Sequence, residues 1–138
     1  MVIEYNVRMG DPETEVVLPR LKSDLVEIFE AIANQELEKI TLDIDERAAT
    51  TIVVVSGGYP EEYEKGKEIF GLENITDSIP FHAGAVLKDG KVVTSGGRVM
   101  AITSYGNTYQ EAIKKAYLSI EKLNFDKMYY RKDIGFDL

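Results

Sequence analysis

Two oxygen-bearing side chains near the start of the chain, Glu4 and Asn6, form the first pattern that could do chemistry. The apolar residues around them predict a strand, and residues two apart on a strand share a face. The carboxylate and the amide oxygen are therefore expected side by side. Hard oxygen donors of this kind suit Mg²⁺, which takes one or two protein ligands and leaves its other positions to water and phosphates. A Glu-x-Asn pattern alone remains more often an ordinary strand than a metal site.

Basic and acidic side chains follow directly in a tight loop over residues 8–13. The planar fork of Arg8 could hold a phosphate or acyl-phosphate oxygen. Asp11 could contact a ligand, or it could shape the loop and cap the next helix, and the residues leave these two readings even. For Glu13 the capping role is favoured, because carboxylates are stabilised near helix N-termini.

Later in the chain, Arg98 and His82 are the candidates for ligand contact. Arg98 follows Gly96-Gly97, and glycines let a backbone approach a ligand closely. The alternative for Arg98 is an ordinary salt bridge on an edge strand. His82 is the only histidine, and a lone histidine is more often a hydrogen-bonded structural residue than a catalyst.

Composition narrows the classes of protein that the chain can belong to. With 138 residues it fits one compact domain, or a domain plus an attached piece, and its formal net charge of −8 excludes a broad basic face for nucleic acid or an anionic membrane. The absence of cysteine excludes disulfides and thiolate chemistry. No segment resembles a signal peptide or a membrane span, so a cytoplasmic location is expected.

The helices and strands predicted from the sequence together indicate an α+β fold. Apolar residues at helical spacing predict an amphipathic helix over residues 19–34. A β-rich run at 48–56 stops at Gly57-Gly58-Tyr59-Pro60, a turn that positions its neighbours. Further strands are predicted at 81–87, 92–94 and 98–104, the first two joined by an Asp-Gly hairpin turn. Thr108 and Glu111 form a capping box that opens a last helix.

Several sequence blocks, taken together and in order, resemble the C-terminal part of the phosphoribosylamine–glycine ligase family, also called glycinamide ribonucleotide synthetases. The blocks cover essentially the whole chain: Arg8-Met-Gly-Asp-Pro-Glu-Thr-Glu15, Leu18-Pro-Arg-Leu-Lys-Ser-Asp-Leu25, Asp45-Glu-Arg-Ala48, Ser56-Gly-Gly-Tyr-Pro60, Phe81-His-Ala-Gly84, Thr94-Ser-Gly-Gly-Arg-Val99 and Tyr130-Arg-Lys-Asp-Ile-Gly135. Each block is weak alone, and the combination is specific. The one departure is Met9, where the family usually has Phe or Leu.

The resemblance implies a fold and an activity. Residues 1–46 would be the C-terminal end of an ATP-grasp domain, a strand plus a helix. Residues 47–138 would be the ligase C-terminal domain, of barrel-sandwich (rudiment-hybrid) type with a flanking helix. The family joins glycine to 5-phosphoribosylamine in purine biosynthesis, with ATP as co-substrate and Mg²⁺ or Mn²⁺ as the metal.

The resemblance also implies roles for individual residues. Glu4 and Asn6 would be metal ligands, and Arg8 a catalytic residue. Asp11 would lie near the ribose or amine of phosphoribosylamine, and Arg98 near the sugar phosphate. His82 is a further candidate for substrate binding.

The larger N-terminal portion of the family is missing, so this chain alone is expected to be inactive. The alternative is a non-catalytic binding or regulatory module that completes a partner's site in trans. A biotinyl carrier is disfavoured because the hairpin Lys88-Asp-Gly-Lys91 has no flanking methionine. Unpaired edges on a strand over residues 2–7 would favour self-association, since exposed strand edges recruit other strands.

Overall fold

The computed structural model describes Met1 and residues 7–137. Its helices and strands, in chain order, are α1 (Thr14–Val17), α2 (Leu25–Ala33), β1 (Ala48–Ser56), β2 (Ser78–His82), β3 (Ala85–Lys88), β4 (Lys91–Thr94), β5 (Arg98–Gly106), α3 (Tyr109–Ile120) and β6 (Met128–Tyr129). Glu4, Asn6 and the strand predicted over residues 2–7, except Val7, lie outside the described residues.

A four-stranded antiparallel sheet in the order β2-β5-β1-β6 forms the centre of the domain. β1 and β5 pair along their whole length, from Ala48 opposite Gly106 to Val54 opposite Met100, with one irregularity before Val55. Because residues opposite each other point to the same side, Thr51, Thr103 and Ile79 share one face of the sheet. The other face carries the hydrophobic core.

The core lies between that second face and α3. Ala112, Ala116 and Ile120 are fully buried on one side of the helix, at the spacing of an amphipathic helix. Ala116 and Ile120 pack with the fully buried strand residues Val54 and Ile102. The predicted helix after Thr108 is confirmed.

Two side-chain hydrogen bonds cap the start of α3. The Thr108 hydroxyl accepts from Glu111 N at 3.3 Å, while the Glu111 carboxylate accepts from Asn107 N at 2.9 Å. The reciprocal bond therefore goes to the residue before the cap, one position away from the usual capping box.

The prediction of one helix over residues 19–34 is wrong. A short 3-10 turn ends at Arg20, the backbone then becomes extended at Leu21, and α2 begins only at Leu25. Leu21 is extended because it pairs with Ile44, a bond between distant parts of the chain. Asp24 caps α2 by accepting from Val26 N at 2.7 Å.

The predicted strand over residues 81–87 is also two strands. β2 ends at His82 and β3 begins at Ala85, because Ala83 N and Gly84 N donate to Val99 O and Arg98 O and turn the chain around the start of β5. The hairpin between β3 and β4 is confirmed. Its two turn residues, Asp89 and Gly90, both have positive φ angles, as a type I′ turn requires.

The chain is thus a small mixed domain with antiparallel sheets, and the coarse α+β prediction is confirmed. Within the part of the chain that the structure describes, no helix is long and apolar enough to cross a membrane.

Candidate functional site

The face of the sheet opposite the core is crossed by the segment 10–20, which is pinned there by hydrogen bonds from the strands. Thr103 Oγ1 lies 2.7 Å from Glu15 O, and the Tyr105 hydroxyl donates to Pro19 O at 2.6 Å. Burial raises the pKa of Tyr105, with the nearby Asp45 charge adding to the effect, so the phenol remains a donor. These two hydrogen bonds therefore hold the segment that carries Asp11 against the sheet.

An arginine stack holds the far end of this segment. The Arg47 guanidinium lies 4.5 Å from the centroid of the Tyr105 ring and forms a bidentate pair with Asp45, from Nε to Oδ1 and from Nη2 to Oδ2. The hydrogen bonds from Arg47 hold the pKa of Asp45 well below its usual range. Arg20 also donates to Asp45 O at 3.0 Å, which ties the segment to the start of β1.

Asp11 and Arg98, both predicted to bind substrate, meet in an ion pair. Arg98 Nη2 lies 2.9 Å from Asp11 Oδ2, and both side chains are about half exposed. Glu13 shapes this loop by accepting from Gly10 N at 2.9 Å, and it makes no side-chain cap on α1. The Asp11–Arg98 ion pair thus joins the loop to the first residue of β5.

Glycines set the position of Arg98. A Cβ on Gly84 would lie 2.5 Å from Arg98 O and 2.7 Å from the Gly96 Cα, so the two backbones approach too closely for any side chain. A Cβ on Gly97 would lie 2.1 Å from the ring of Tyr59. The Gly96-Gly97 bend is therefore a packing requirement, and it delivers Arg98 to the edge of an open cleft.

That cleft, of about 370 Å³, lies beside the Asp11–Arg98 pair. Its walls are mostly apolar and aromatic, with two guanidinium groups: Pro12, Thr51, Ile52, Val53, Val55, Tyr59, Arg98, Tyr129, Tyr130, Arg131 and Ile134. Pockets of this size with few placed polar groups are typical of small-molecule sites. We refer to it below as the tyrosine cleft.

The C-terminal wall of the tyrosine cleft is fixed by Tyr117 of α3. Its hydroxyl donates to Arg131 O at 2.9 Å and accepts from Ile134 N at 3.1 Å. Arg131 pairs with Asp133 at 2.8 Å, and its hydrogen bonds lower the pKa of Asp133. Arg131 and Asp133 therefore form a local ion pair at this wall.

The remaining described candidates, Arg8 and His82, do not line the tyrosine cleft. Arg8 is exposed and donates to Met9 O at 2.9 Å, three residues before Asp11. His82 is exposed on β2, opposite Met100, and lines a separate cavity on the other side of the 10–20 segment. The structure therefore brings together Asp11 and Arg98, and it places His82 on the neighbouring strand.

Sequence reasoning missed the aromatic lining. Tyr59 was assigned to a turn, and Tyr129 and Tyr130 were given no role, although the Tyr-Tyr-Arg run over 129–131 could have suggested an aromatic wall with a cation. Among Met1 and residues 7–137, no group of three or more His, Cys, Asp or Glu side chains could hold a metal ion.

Comparison with known proteins gives this arrangement a family. The model of the phosphoribosylglycinamide synthetase C domain matches residues 49–137. The phosphoribosylamine–glycine ligase of Caldanaerobacter subterraneus is 49% identical over 134 residues, which are 97% of this chain and 32% of that protein. The enzyme of the same name from Escherichia coli is 47% identical over 137 residues, with the same coverage.

A solved structure gives the same result. The crystal structure of phosphoribosylamine–glycine ligase from Thermotoga maritima superposes with a TM-score of 0.73 at 40% identity, covering 96% of this chain and 32% of that one. The named relatives therefore belong to one class, ligases that carry an antiparallel domain of this kind. The chain belongs to the phosphoribosylglycinamide synthetase C domain family. It spans about a third of the length of these relatives.

Proposed function

We propose that the chain is the C-terminal part of a phosphoribosylamine–glycine ligase, and that Arg98 and Asp11 form its contact with the sugar phosphate substrate. The observation that carries the proposal is the Asp11–Arg98 pair at the edge of the tyrosine cleft. The reaction would condense glycine with 5-phosphoribosylamine and ATP to give glycinamide ribonucleotide, ADP and phosphate.

The chemistry divides into activation and transfer. The glycine carboxylate attacks the γ-phosphate of ATP, which gives glycyl phosphate and ADP. The amine of phosphoribosylamine then attacks the glycyl carbonyl and displaces phosphate, which forms the amide. No covalent enzyme nucleophile is needed, so catalysis rests on positioning and on electrostatic stabilisation.

Arg98 suits the substrate phosphate because its guanidinium carries five donors in a planar fork. The ion pair with Asp11 engages the fork from one side. In this proposal Asp11 keeps the guanidinium oriented towards the cleft, and its carboxylate lies close to the ribose or amine of the bound substrate. Arg8, three residues earlier in the same loop, would hold an acyl-phosphate oxygen.

Glu4 and Asn6 would hold Mg²⁺ or Mn²⁺, although both lie outside the described residues. Their carboxylate and amide oxygens are the donor types that these hard cations take. A metal there would neutralise charge on the transferred phosphoryl group. Because two donors leave most positions open, the remaining ligands would be phosphates and water, or donors elsewhere in the longer enzyme.

The domain division is part of the proposal. Residues 1–46 would end an ATP-grasp domain, and residues 47–138 would form the C-terminal domain, of barrel-sandwich type. The start of the family match at residue 49 supports the boundary. So does α2, whose Val26, Phe29 and Ile32 are each more than half exposed and therefore pack little against this domain.

The test is a kinetic comparison in the full-length enzyme. Arg98→Ala should raise the KM for phosphoribosylamine at least about tenfold with a smaller effect on kcat, because a ground-state phosphate contact is lost. The matched control is Lys88→Ala, an exposed cation at the tip of the β3–β4 hairpin. An unchanged KM for phosphoribosylamine in the Arg98 variant would reduce that residue to a structural role.

A further inference from the structure

The tyrosine cleft is more apolar than a sugar phosphate requires. A 5-phosphoribosyl group carries hydroxyl and phosphate oxygens, and the contact proposed for it uses Arg98, with Asp11 beside it. The side chains of Val53 and Val55, by contrast, project into the cleft from one face of β1, and Ile134 adds a further apolar side chain. This apolar wall has no role in the proposed reaction.

Two exposed tyrosine rings lie beside the apolar wall. Tyr129 pairs with Val55, so its side chain extends from the same face of the sheet, and it is 59% exposed. Tyr59, in the turn after β1, is 38% exposed. Tyr130 differs from both, because its ring packs against Tyr117 at 6.1 Å between centroids. The rings of Tyr59 and Tyr129 are therefore the aromatic surfaces that a ligand in the cleft can contact.

The backbone of β1 adds hydrogen-bonding groups to the cleft. β6 pairs only with Val55 and Ser56 of β1. On that side of β1, no strand in the described part of the chain pairs with residues 51–53, which also line the cleft. The N–H and C=O groups along such a strand edge need partners, and a ligand with donors and acceptors can supply them.

Of the two guanidinium groups in the cleft, Arg98 is the better contact for a phosphate. Arg131 donates from Nε and Nη2 to the two carboxylate oxygens of Asp133, at 2.9 and 2.8 Å, so one bidentate edge of its fork is occupied. Arg98 contacts Asp11 through Nη2, which leaves its Nε and Nη1 donors out of that pair. A phosphate can therefore accept from Arg98 while the Asp11 contact stays in place.

The combination of these features selects a class of ligand. Aromatic side chains stack on the faces of nucleobases whatever the base. A base also carries donors and acceptors on its edge, which suit the open backbone edge of β1. A purely aliphatic ligand would use the apolar wall and leave both the strand edge and the guanidinium without a partner.

We propose that the tyrosine cleft binds a nucleoside 5′-monophosphate, with its base against Tyr59 and Tyr129 and its phosphate on Arg98. The volume of about 370 Å³ is sufficient for a small-molecule ligand. The inference goes beyond the proposed function and shares only the Arg98 contact with it. Phosphoribosylamine and a nucleoside monophosphate carry the same 5-phosphoribosyl group with a nitrogen at C1, so one phosphate contact serves both.

Isothermal titration calorimetry on the 138-residue chain tests the proposal with three probes. AMP has the base and the phosphate, ribose 5-phosphate lacks the base, and adenosine lacks the phosphate. AMP should bind at least about tenfold more tightly than either of the others, because stacking and the charge-assisted phosphate contact both contribute. No binding of AMP, or equal binding of AMP and either partial probe, would overturn the proposal.

Variants assign the base to the tyrosine rings. Tyr129→Leu keeps an apolar side chain at an exposed position and removes the ring, so it should weaken AMP binding about tenfold. Phe70→Leu is the matched control, since Phe70 is 54% exposed and lies outside the cleft, and it should change nothing. The comparison of the three probes on the unmodified chain stands even if Tyr129→Leu does not fold. Undiminished AMP binding in Tyr129→Leu would contradict the assignment.

The outcomes separate this inference from the proposed function. If AMP binding depends on Tyr129 and the full-length polypeptide forms no glycinamide ribonucleotide, the proposed function fails and the nucleotide site stands. If Arg98→Ala raises the KM for phosphoribosylamine while AMP binds the chain no more tightly than ribose 5-phosphate, the nucleotide site is wrong and the proposed function stands.

Discussion

At the scale of single residues, the ion pairs of this chain do different work according to what they join. Asp11 and Arg98 connect the loop over residues 8–13 to β5, and both side chains are about half exposed. Asp45 and Arg47 lie two residues apart and fix the conformation of the chain just before β1. A third group, Glu64 with Lys67 and Lys127, joins the loop after the Gly57–Pro60 turn to the chain that precedes β6.

The third group predicts a pH dependence of stability. Hydrogen bonds from Lys127 and Lys67 lower the pKa of Glu64 from its ordinary 4.5 to about 2. A carboxyl group whose folded-state pKa is depressed stabilises the fold above its unfolded pKa, and the contribution is lost as the pH falls through the folded pKa. Because the group is exposed, solvent screening keeps the effect small.

The measurement is the free energy of unfolding in urea from pH 7 down to pH 2. Glu64→Gln should be less stable than the unmodified chain at pH 7, and the difference should close between about pH 4.5 and pH 2. Glu61→Gln, an exposed neighbour, serves as the control. A deficit of the same size at both ends of the range would contradict the pKa assignment.

At the scale of elements, local sequence patterns correctly predicted the features that depend only on neighbouring residues. The β-branched run of β1, the Asp89-Gly90 turn and the Thr108 cap each act within a few residues, and each was correctly predicted. The break between Arg20 and α2 was not predictable in this way, because Leu21 is held extended by Ile44, far along the chain.

The candidate site also combines features that local sequence patterns indicate with features that depend on contacts between distant residues. The residue types of Asp11 and Arg98 indicated ligand contact, but their meeting depends on the path of the 10–20 segment over the sheet. The tyrosine cleft was missed for the same reason: Tyr59 comes from the turn after β1, Tyr129 and Tyr130 come from β6 and the residue after it, and they converge only in the folded chain.

Close backbone approach between elements gives a stability prediction with a built-in control. Gly71 and Gly90 both have positive φ angles, of 86° and 78°. A Cβ on Gly71 would lie 1.9 Å from Lys122 O, whereas one on Gly90 would meet nothing within 4 Å. Gly90→Ala should therefore cost only the left-handed backbone penalty of about 1–2 kcal/mol.

Gly71→Ala must also separate two chain segments that exchange hydrogen bonds between Phe70 and Asn124. Its expected cost is about 3 kcal/mol or more, read from urea midpoints at constant slope. Equal losses of unfolding free energy in the two variants would show that the close backbone contact at Lys122 does not affect stability.

At the scale of the whole molecule, the two faces of the central sheet differ in how far they are covered. The core between α3 and the sheet is buried, while several cavities open beside the 10–20 segment on the opposite face. Relatives that carry this domain are about three times as long. We therefore expect the ligase site to be completed by the larger portion of such an enzyme.

The most direct test of this account is ADP release that depends on ATP, glycine and phosphoribosylamine. It would be measured on the 138-residue chain alone, on the full-length polypeptide, and on the chain mixed with the separately produced N-terminal portion. The full-length polypeptide should turn over at the rate of an ordinary enzyme, about 1–10³ s⁻¹, and the chain alone should show none. Activity restored by mixing would identify completion in trans, the alternative function. Ordinary turnover by the chain alone, or no such activity in the full-length polypeptide, would contradict the account.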